Sequence, residues 1–250
     1  MQRTLSGQHV VVIGGSSGMG LATARAAVAA GARLTIAGRD AQRLAQSARS
    51  IATDGGAGSD VDARKLDITD EAALTAFFAA LDPFDHLVVT AHASSVVTGA
   101  IAPLASMTVA AARAFMETKF WGPFMAVKHA RTKLAPRGSI VLFSGAAGAR
   151  KLLPNHTAIG ATNGAVEAFA RQLAKEIAPQ RVNVIAAGLV RTPTYDGMPV
   201  EAREAMYEHY AQNALVGRVG MPEDIARAAL YLMTNHYVTG QIHEIDGGRP

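Results

Sequence analysis

The sequence predicts an α/β fold: a three-layer, doubly wound parallel sheet of about seven strands with helices on both faces. Two observations carry this prediction. Short apolar runs alternate along the chain with longer segments of helical period, and a glycine-rich turn joins the first run to the first helical segment. Strands separated by helices in this way pair in parallel, and helices cover both faces of their sheet.

The predicted strands are short runs rich in valine, isoleucine and leucine, bounded by glycine or polar residues. In chain order they are His9–Ile13, Arg33–Ala37, Ala63–Leu66, His86–Thr90, Ser139–Phe143, Arg181–Ala186 and Gln241–Ile245. The segments between them have apolar residues at helical spacing, and several follow an Asp, Ser or Thr suited to capping. These predicted helices are Leu21–Ala30, Ala41–Ala52, Glu71–Leu81, Val109–Leu134, Thr157–Ile177, Val200–Gln212 and Pro222–Thr234.

Size and composition exclude several classes of protein. With 250 residues, 49% of them hydrophobic, and no composition shift that marks a linker, the chain is expected to form one domain over residues 1–250. The absence of cysteine excludes disulfides and thiolate metal sites, and no HExxH spacing occurs, so no metal site is predicted. No apolar run is long enough to span a bilayer, and no signal-peptide core is present, so we expect a soluble, cytoplasmic protein without a membrane partner. The net charge of +4 is scattered, and no nucleic-acid partner is predicted.

Three glycines after the first strand predict a phosphate-binding turn. Gly14 lets the chain leave the strand in a tight turn, Gly18 removes a Cβ where a pyrophosphate approaches the backbone, and Gly20 lets the helix pack closely on the sheet. The N–H groups of the first helical turn then face the anion. The alternative is a glycine-rich loop without a ligand. The predicted contacts of this turn are Gly14, Ser16, Ser17, Gly18, Met19 and Gly20.

The ends of the second and third strands predict which dinucleotide binds. An acidic residue after the second strand would hydrogen-bond the adenosine 2′-hydroxyl, but the residue there is Gly38. Gly38 leaves room for a 2′-phosphate that the guanidinium of Arg39 can bind, so NADP (NADPH) is favoured over NAD; otherwise Arg39 is a surface charge. After the third strand, Asp67 and Ile68 are placed to contact the adenine, whereas Asp70 is better explained as a helix N-cap.

The order of these motifs resembles that of the short-chain dehydrogenase/reductase family along essentially the whole chain. The family's glycine motif appears as Ile13 to Gly20, and its nicotinamide-side turn and C-terminal strand resemble residues 181–192 and 239–248. The resemblance implies a Rossmann-type domain, hydride transfer to or from a nicotinamide, and a homo-oligomer, either a tetramer or a dimer. It also implies cofactor contacts at Ala91, Asn163, Gly188, Val190 and Thr192.

The reaction centre departs from the family pattern, which uses Asn, Ser, Tyr and Lys. Helix register puts Ile159 at the position of the proton-transferring Tyr and Asn163 at the position of the Lys. The family's Asn becomes Lys119, and its Ser position falls at Gly145 or Ala146, beside the hydroxyl of Ser144. Since Ile159 cannot donate a proton, the usual acid is missing.

The reciprocal exchange at Lys119 and Asn163 suggests that the cation has moved across the pocket. Lys119 would then stabilise an oxyanion, or act as an acid with its pKa lowered by burial, while Asn163 binds the nicotinamide ribose. The alternative is that Lys119 snorkels from its helix or pairs with Glu117. His92, after the fourth strand, is a second candidate proton donor, or only a backbone hydrogen-bonding group. Ser144 could bind a substrate oxygen or cap the strand end.

Weaker candidates complete the predicted site. His156 and Tyr195 are reserve acids that are better explained as pocket walls, and Arg150 and Lys151 are better explained as an exposed charged loop than as an anion site. Residues 191–216, with their tyrosines and methionines, resemble the family's mobile substrate lid and indicate an apolar pocket, unless these side chains belong to the core or a subunit contact.

We therefore expect an NADP(H)-dependent oxidoreductase with altered catalytic residues. Its small-molecule substrate is expected to be a small, largely apolar carbonyl, imine or enone, because an iminium or activated alkene needs less acid assistance than a simple ketone. The alternative is a dinucleotide-binding protein without redox turnover, such as a sensor, a scaffold, or a non-redox cyclase or isomerase.

Overall fold

The computed structural model of the chain describes residues 4–55, 60–91, 98–147 and 149–249. Seven strands in these ranges form one parallel sheet. They are β1 (His9–Ile13), β2 (Arg33–Gly38), β3 (Val61–Lys65), β4 (Phe84–Val89), β5 (Leu134–Gly145), β6 (Arg181–Ala187) and β7 (Ile242–Ile245). Their order in the sheet is β3-β2-β1-β4-β5-β6-β7, and every neighbouring pair is parallel. The strand order therefore reverses between β1 and β4, which is where an open sheet of this kind binds ligands.

Helices cover both faces of the sheet, which confirms the predicted fold class. They are α1 (Gly18–Ala29), α2 (Ala41–Gly55), α3 (Glu71–Ala79), α4 (Val109–Met116), α5 (Gly122–Ala130), α6 (Thr157–Glu176), α7 (Val200–Asn213) and α8 (Pro222–Thr234). A π-helical turn over Glu117–Trp121 joins α4 to α5, and a short 3₁₀ turn covers Pro193–Tyr195. Within the described ranges, no helix combines the length and the apolar character needed to cross a bilayer.

The core has two layers because side chains alternate along each strand. Val11 and Ile13 of β1 pack with α3, α5 and α6 on one face, where Phe78 is almost fully buried. Val10 and Val12 pack with α1, α2 and α8 on the other face. Each layer contains a cluster of buried apolar side chains, and the two clusters support the loops at the carboxyl edge of the sheet.

The prediction of one continuous helix over Val109–Leu134 is wrong in two respects. The helix changes to π geometry at Glu117, α5 starts again at Gly122 and ends at Ala130, and Leu134 already pairs with Phe84 as the first residue of β5. Pro123 at the start of α5 was the missed signal, because a proline lacks the N–H that a continuing helix needs. Strands β3 and β5 also begin earlier than predicted, since pairing with a neighbouring strand extends them past their apolar centres.

Candidate functional site

Two adjoining cavities lie at the carboxyl edge of the sheet, and they share Met19, Thr90 and Thr194 in their walls. The first, the glycine groove, has a volume of about 310 Å³ and runs from the β1–α1 turn past the ends of β2 and β3. The second, named here the Ile159 cavity, has a volume of about 440 Å³ and is enclosed by the end of β5, by α6 and by residues of α7. The two spaces lie side by side at the end of β4, where Thr90 lines both.

The turn at the base of the glycine groove requires glycine at positions 14 and 20. Gly14 has a φ of +92°, a conformation that side chains disfavour, and a Cβ there would lie 2.5 Å from the Thr90 hydroxyl oxygen. A Cβ on Gly20 would overlap the Gly14 carbonyl oxygen, so the first turn of α1 packs directly against the end of β1. Ser17 is the N-cap of α1, but its side chain makes no capping hydrogen bond. The first-turn N–H groups are therefore left available for an anion.

The far end of the glycine groove contains one cation that is not tied to an acid. Arg39 is exposed and forms no ion pair with any residue that the structure describes, whereas the neighbouring Arg43 lies 3.7 Å from the Asp40 carboxylate. The backbone N–H of Arg43 also donates to Asp40 at 2.9 Å. Gly38 lines the groove beside Arg39, so no acidic side chain follows β2 directly. Arg39 is thus free to bind an incoming anion.

The side wall after β3 combines a carboxylate with an aliphatic surface. Asp67 accepts from the Thr69 backbone N–H at 3.0 Å and from the Thr69 hydroxyl at 2.8 Å, and these contacts, followed by the charge of Arg39, lower the pKa of Asp67. Ile68 is buried against Gly122 of α5, where a Cβ would lie 2.9 Å from the isoleucine side chain. Asp70 accepts from the Ala73 N–H at 2.9 Å, which confirms the predicted N-cap.

The residues predicted to contact the cofactor fall into three groups. Asn163 and Gly188 line the Ile159 cavity, and Val190 is buried beside it in a bridge to Gly220. The others all line the glycine groove: Gly14, Ser16, Ser17, Gly18, Met19, Gly20, Gly38, Arg39, Asp67, Ile68, Ala91 and Thr192.

Ile159 contributes hydrocarbon to the wall of the Ile159 cavity. Ile159 is 6% exposed and packs with Ala100 and Phe115 in a small apolar cluster. Asn163 lies one turn further along α6 and faces the same cavity. Ile101 and Phe143 add to the apolar wall.

Lys119 is a buried amine in the wall of the Ile159 cavity. It lies in the π-helical turn and is 8% exposed, and its Nζ donates a long hydrogen bond of 3.4 Å to the Ser144 carbonyl oxygen. Within the part of the chain that the structure describes, Lys119 has no ion pair, so the predicted alternative of a pair with Glu117 is wrong. Burial lowers the pKa of Lys119 to about 8, because the charged amine loses its hydration.

Asn163 approaches the same end of β5 from α6. Its Nδ2 donates to the Ala147 carbonyl at 3.0 Å, while its buried Oδ1 has no hydrogen-bond partner among the described residues. The structure therefore places Lys119 and Asn163 in one cavity, on neighbouring helical elements. An unpartnered buried amide oxygen is costly, and a ligand hydroxyl that donated to it would remove that cost.

Sequence reasoning missed the partner of Ser144. The buried Ser144 hydroxyl donates to Glu167 Oε1 at 3.0 Å, and Glu167 forms an ion pair with Arg150 at 3.2 Å. Arg150 continues to Glu244 at 2.8 Å, and Lys151 lies 3.5 Å from the same carboxylate. The expected exposed loop at Arg150 and Lys151 is thus wrong: both side chains are partly buried in an ionic network. Glu167 lies four residues after Asn163, and this helical spacing was the available signal.

Of the remaining candidate residues, one lies outside the described residues and the others line the wall of the Ile159 cavity. His92 lies outside the described residues. His156 lines the Ile159 cavity, and its Nδ1–H donates to the Pro154 carbonyl at 2.6 Å. Tyr195 also lines the cavity, and burial raises its pKa to about 12, which makes it a weaker acid. From the predicted lid, Met206, His209 and Tyr210 line the same wall.

Comparisons with known proteins agree on one family. A family model described as enoyl-(acyl carrier protein) reductase matches residues 13–249. A short-chain dehydrogenase/reductase of Stachybotrys chlorohalonatus is 34% identical over 264 residues, which cover 98% of each chain. The solved structure of the MalC reductase/Diels–Alderase from Malbranchea aurantiaca is 28% identical with a TM-score of 0.88, and the match covers 99% of this chain and 98% of that one. A small-chain dehydrogenase solved in complex with NADPH is 34% identical with a TM-score of 0.79, over 97% of this chain and 98% of that one. The chain therefore belongs to the short-chain dehydrogenase/reductase family.

Proposed function

We propose that the protein is an NADP(H)-dependent oxidoreductase that acts on a small, largely apolar carbonyl, imine or enone. The observation that carries this proposal is that a glycine-rich groove suited to phosphate adjoins an apolar cavity with a buried amine in its wall, and the two share wall residues. When bound, NADP(H) would supply or accept the hydride, and the protein's part is to position the two reactants.

The residues of the glycine groove fit a dinucleotide phosphate. The turn from Gly14 to Gly20 leaves no room for a Cβ at Gly14 or Gly20 and presents uncapped N–H groups, which suit the pyrophosphate. Asp67 and Ile68 would hold the adenine. The NADPH complex of the related dehydrogenase supports this assignment.

The preference for NADP rests on Arg39. Its guanidinium forms no ion pair within the described ranges, although its charge lowers the pKa of Asp67, and Gly38 adds neither bulk nor negative charge beside it. A 2′-phosphate can accept two charge-assisted hydrogen bonds from such a group. Arg43 lies next to Asp40 and so has less capacity to bind a second anion.

In the Ile159 cavity, this chain's own residues would bind and orient the substrate. The Lys119 ammonium would stabilise negative charge that develops on a substrate oxygen or, with its lowered pKa, donate a proton. The unpartnered Asn163 Oδ1 would accept from a cofactor ribose hydroxyl. The Ser144 hydroxyl donates its hydrogen bond to Glu167, so Ser144 can only accept a hydrogen bond from a substrate. His92 stays a candidate proton donor.

We also propose that the protein forms a homo-oligomer through α5 and α6. Trp121 is 45% exposed, and its ring lies 5.7 Å from that of Phe124. Phe124 in turn packs on Phe169 of α6, at 5.2 Å between ring centroids. An exposed tryptophan packed beside partly buried rings of two adjacent helices is typical of a subunit contact. In the same proposal, residues 191–216 form the substrate lid.

Cofactor choice is tested by calorimetric titration with NADPH and NADH. NADPH is expected to bind more tightly. Arg39→Ala is expected to weaken NADPH binding by about 30- to 100-fold, equivalent to the loss of about 2–3 kcal/mol from charge-assisted hydrogen bonds, and NADH binding by less than about threefold. Arg43→Ala is the matched control and is expected to have the smaller effect. Tighter binding of NADH, unchanged by Arg39→Ala, would refute the assignment.

Hydride transfer is tested with deuterium-labelled NADPH and a panel of apolar ketones, imines and enones. Stereospecific deuterium transfer whose rate is lowered by Lys119→Ala would support the proposed role of the amine. Unchanged transfer in Lys119→Ala would show that the relocated-cation hypothesis is wrong. The double variant Ile159→Tyr with Asn163→Lys restores the family's usual pair and is expected to favour simple ketones.

A second candidate function is supported by a related protein and by Ile159. The related MalC is described as both a reductase and a Diels–Alderase. In this chain, Ile159 places hydrocarbon at the position where the family resemblance implies a proton-donating phenol. The chain would then bind NADPH and use the apolar cavity for a non-redox cyclisation or isomerisation. Bound NADPH that stays unoxidised across the whole panel would favour this alternative.

A further inference from the structure

Lys119 differs from every other lysine of the chain in its surroundings. It alone among the six has a buried side chain. Lys128 pairs with Glu71 at 2.7 Å and Lys151 pairs with Glu244 at 3.5 Å, whereas Lys119 has only the long contact with the Ser144 carbonyl. The amine therefore lies in a cavity wall without a counter-ion among the described residues.

Such an environment makes a lysine nucleophilic. Burial lowers the pKa of Lys119 from 10.5 to about 8, so roughly a quarter of the side chains are neutral at pH 7.5, against about one in a thousand for an exposed lysine. Only the neutral amine has the lone pair that attacks a carbonyl carbon. Desolvation of a lysine in an apolar pocket is a known route to amine catalysis.

We propose that Lys119 forms a reversible protonated imine with small aldehydes and ketones in the Ile159 cavity, and that this reaction needs no nicotinamide. The Nζ lone pair forms a bond to the carbonyl carbon, and the carbon–oxygen bonds then break as a carbon–nitrogen double bond forms. The oxygen leaves as water with one proton from Nζ and one from solvent. The nitrogen keeps one hydrogen and a positive charge, and hydrolysis reverses each step.

The cavity is suited to this reaction by its size and its walls. Its volume of about 440 Å³ lies within the range of about 300–1,000 Å³ that is typical of ligand pockets. Ile159, Phe115 and Phe143 form an apolar surface that limits the water available to reverse the condensation. The remaining N–H of the imine can still donate to the Ser144 carbonyl, so the cation keeps its present partner.

The test is reductive trapping in the absence of added nicotinamide. The full chain is incubated at pH 7.5 with benzaldehyde and sodium cyanoborohydride, which reduces the imine to a stable benzylamine, and labelled peptides are quantified by mass spectrometry. Lys119 is expected to be labelled at least about tenfold faster than the exposed Lys175, because its neutral fraction is higher. Labelling is also expected to saturate with benzaldehyde and to follow an apparent pKa near 8.

Two variants sharpen the test. Lys119→Arg keeps the charge but cannot form an imine, so the fast labelling is expected to vanish. Lys175→Arg is the control and should leave the labelling of Lys119 unchanged. Equal labelling rates for Lys119 and Lys175 in the folded wild-type protein would overturn the proposal, whether or not the arginine variant folds. Because no nicotinamide is present, that result would leave the proposed oxidoreductase function untouched.

Discussion

Replacing Lys119 with methionine is expected to stabilise the protein at neutral pH, although it removes a proposed functional group. The buried ammonium donates one long hydrogen bond, to the Ser144 carbonyl, and has no carboxylate partner in the described part of the chain. A buried cation with so little compensation lowers the free energy of unfolding. Methionine keeps an unbranched side chain of similar length without the charge.

The pKa of Lys119 gives the magnitude and the pH window. Burial lowers this pKa from 10.5 to about 8, which corresponds to about 3 kcal/mol of lost unfolding free energy while the amine is charged in both states. Below pH 8 the folded and unfolded chains both hold the proton, so the full loss applies. Between pH 8 and 10.5 only the unfolded chain holds it, and stability therefore rises with pH until the loss disappears.

Urea unfolding followed by circular dichroism measures this difference. After subtraction of the lost hydrogen bond, Lys119→Met is expected to be more stable than wild type by about 2–3 kcal/mol at pH 7, and by less than about 1 kcal/mol at pH 10. The exposed control Lys175→Met is expected to stay within about 0.5 kcal/mol at both pH values. A Lys119→Met protein that is less stable than wild type at pH 7 would refute this prediction. It would show that the hydrogen bond from the ammonium to β5 contributes more stability than burial of the charge costs.

Three further predictions concern the glycine turn, helix α6 and the buried His86. Gly20→Ala is expected to abolish NADPH binding in calorimetry and to lower the Tm, because the added Cβ would overlap the Gly14 carbonyl oxygen. Gly164→Ala, in α6 where a Cβ meets nothing within 4 Å, is instead expected to raise the unfolding free energy by about 1 kcal/mol. Burial lowers the pKa of His86 from 6.5 to about 4, so wild type is expected to lose up to about 3 kcal/mol as the pH falls between these values. His86→Gln should lack this loss in urea titrations, and equal acid sensitivity would contradict the assignment.

The sequence predicted the fold well wherever the determining interactions are local. Strand β1 and helix α8 have the predicted bounds, His9–Ile13 and Pro222–Thr234. An apolar run that ends at a glycine turn defines the first, and a proline in the first turn defines the start of the second. The early start of β5 at Leu134 depends instead on pairing with Phe84, across an irregularity in register that no local pattern shows.

Some contacts of the candidate site could likewise be predicted from the sequence, and others could not. The contacts of the glycine groove could be predicted because parallel strands bring their carboxyl ends to one edge, so that turns far apart in the chain meet there. The network that joins Ser144 to Glu167 and Arg150 could not be predicted from the sequence, because it depends on how three side chains from separate elements pack together. Charged residues in a loop are normally solvated, and this general expectation failed for Arg150 because two carboxylates lie beside it.

The π-helical turn explains how one helix serves both cavities. Thr118 lines the glycine groove, and the next residue, Lys119, lines the Ile159 cavity. Consecutive helical residues point about 100° apart, so this turn must lie at the boundary between the two spaces. Trp121, two residues further on, is exposed, while Phe120 packs on the core. Side chains of the π-helical turn at residues 117–121 therefore face four different surroundings: the groove, the cavity, the core and the solvent. A lysine at position 119 consequently enters the cavity through backbone geometry, and it needs no acidic partner to hold it there.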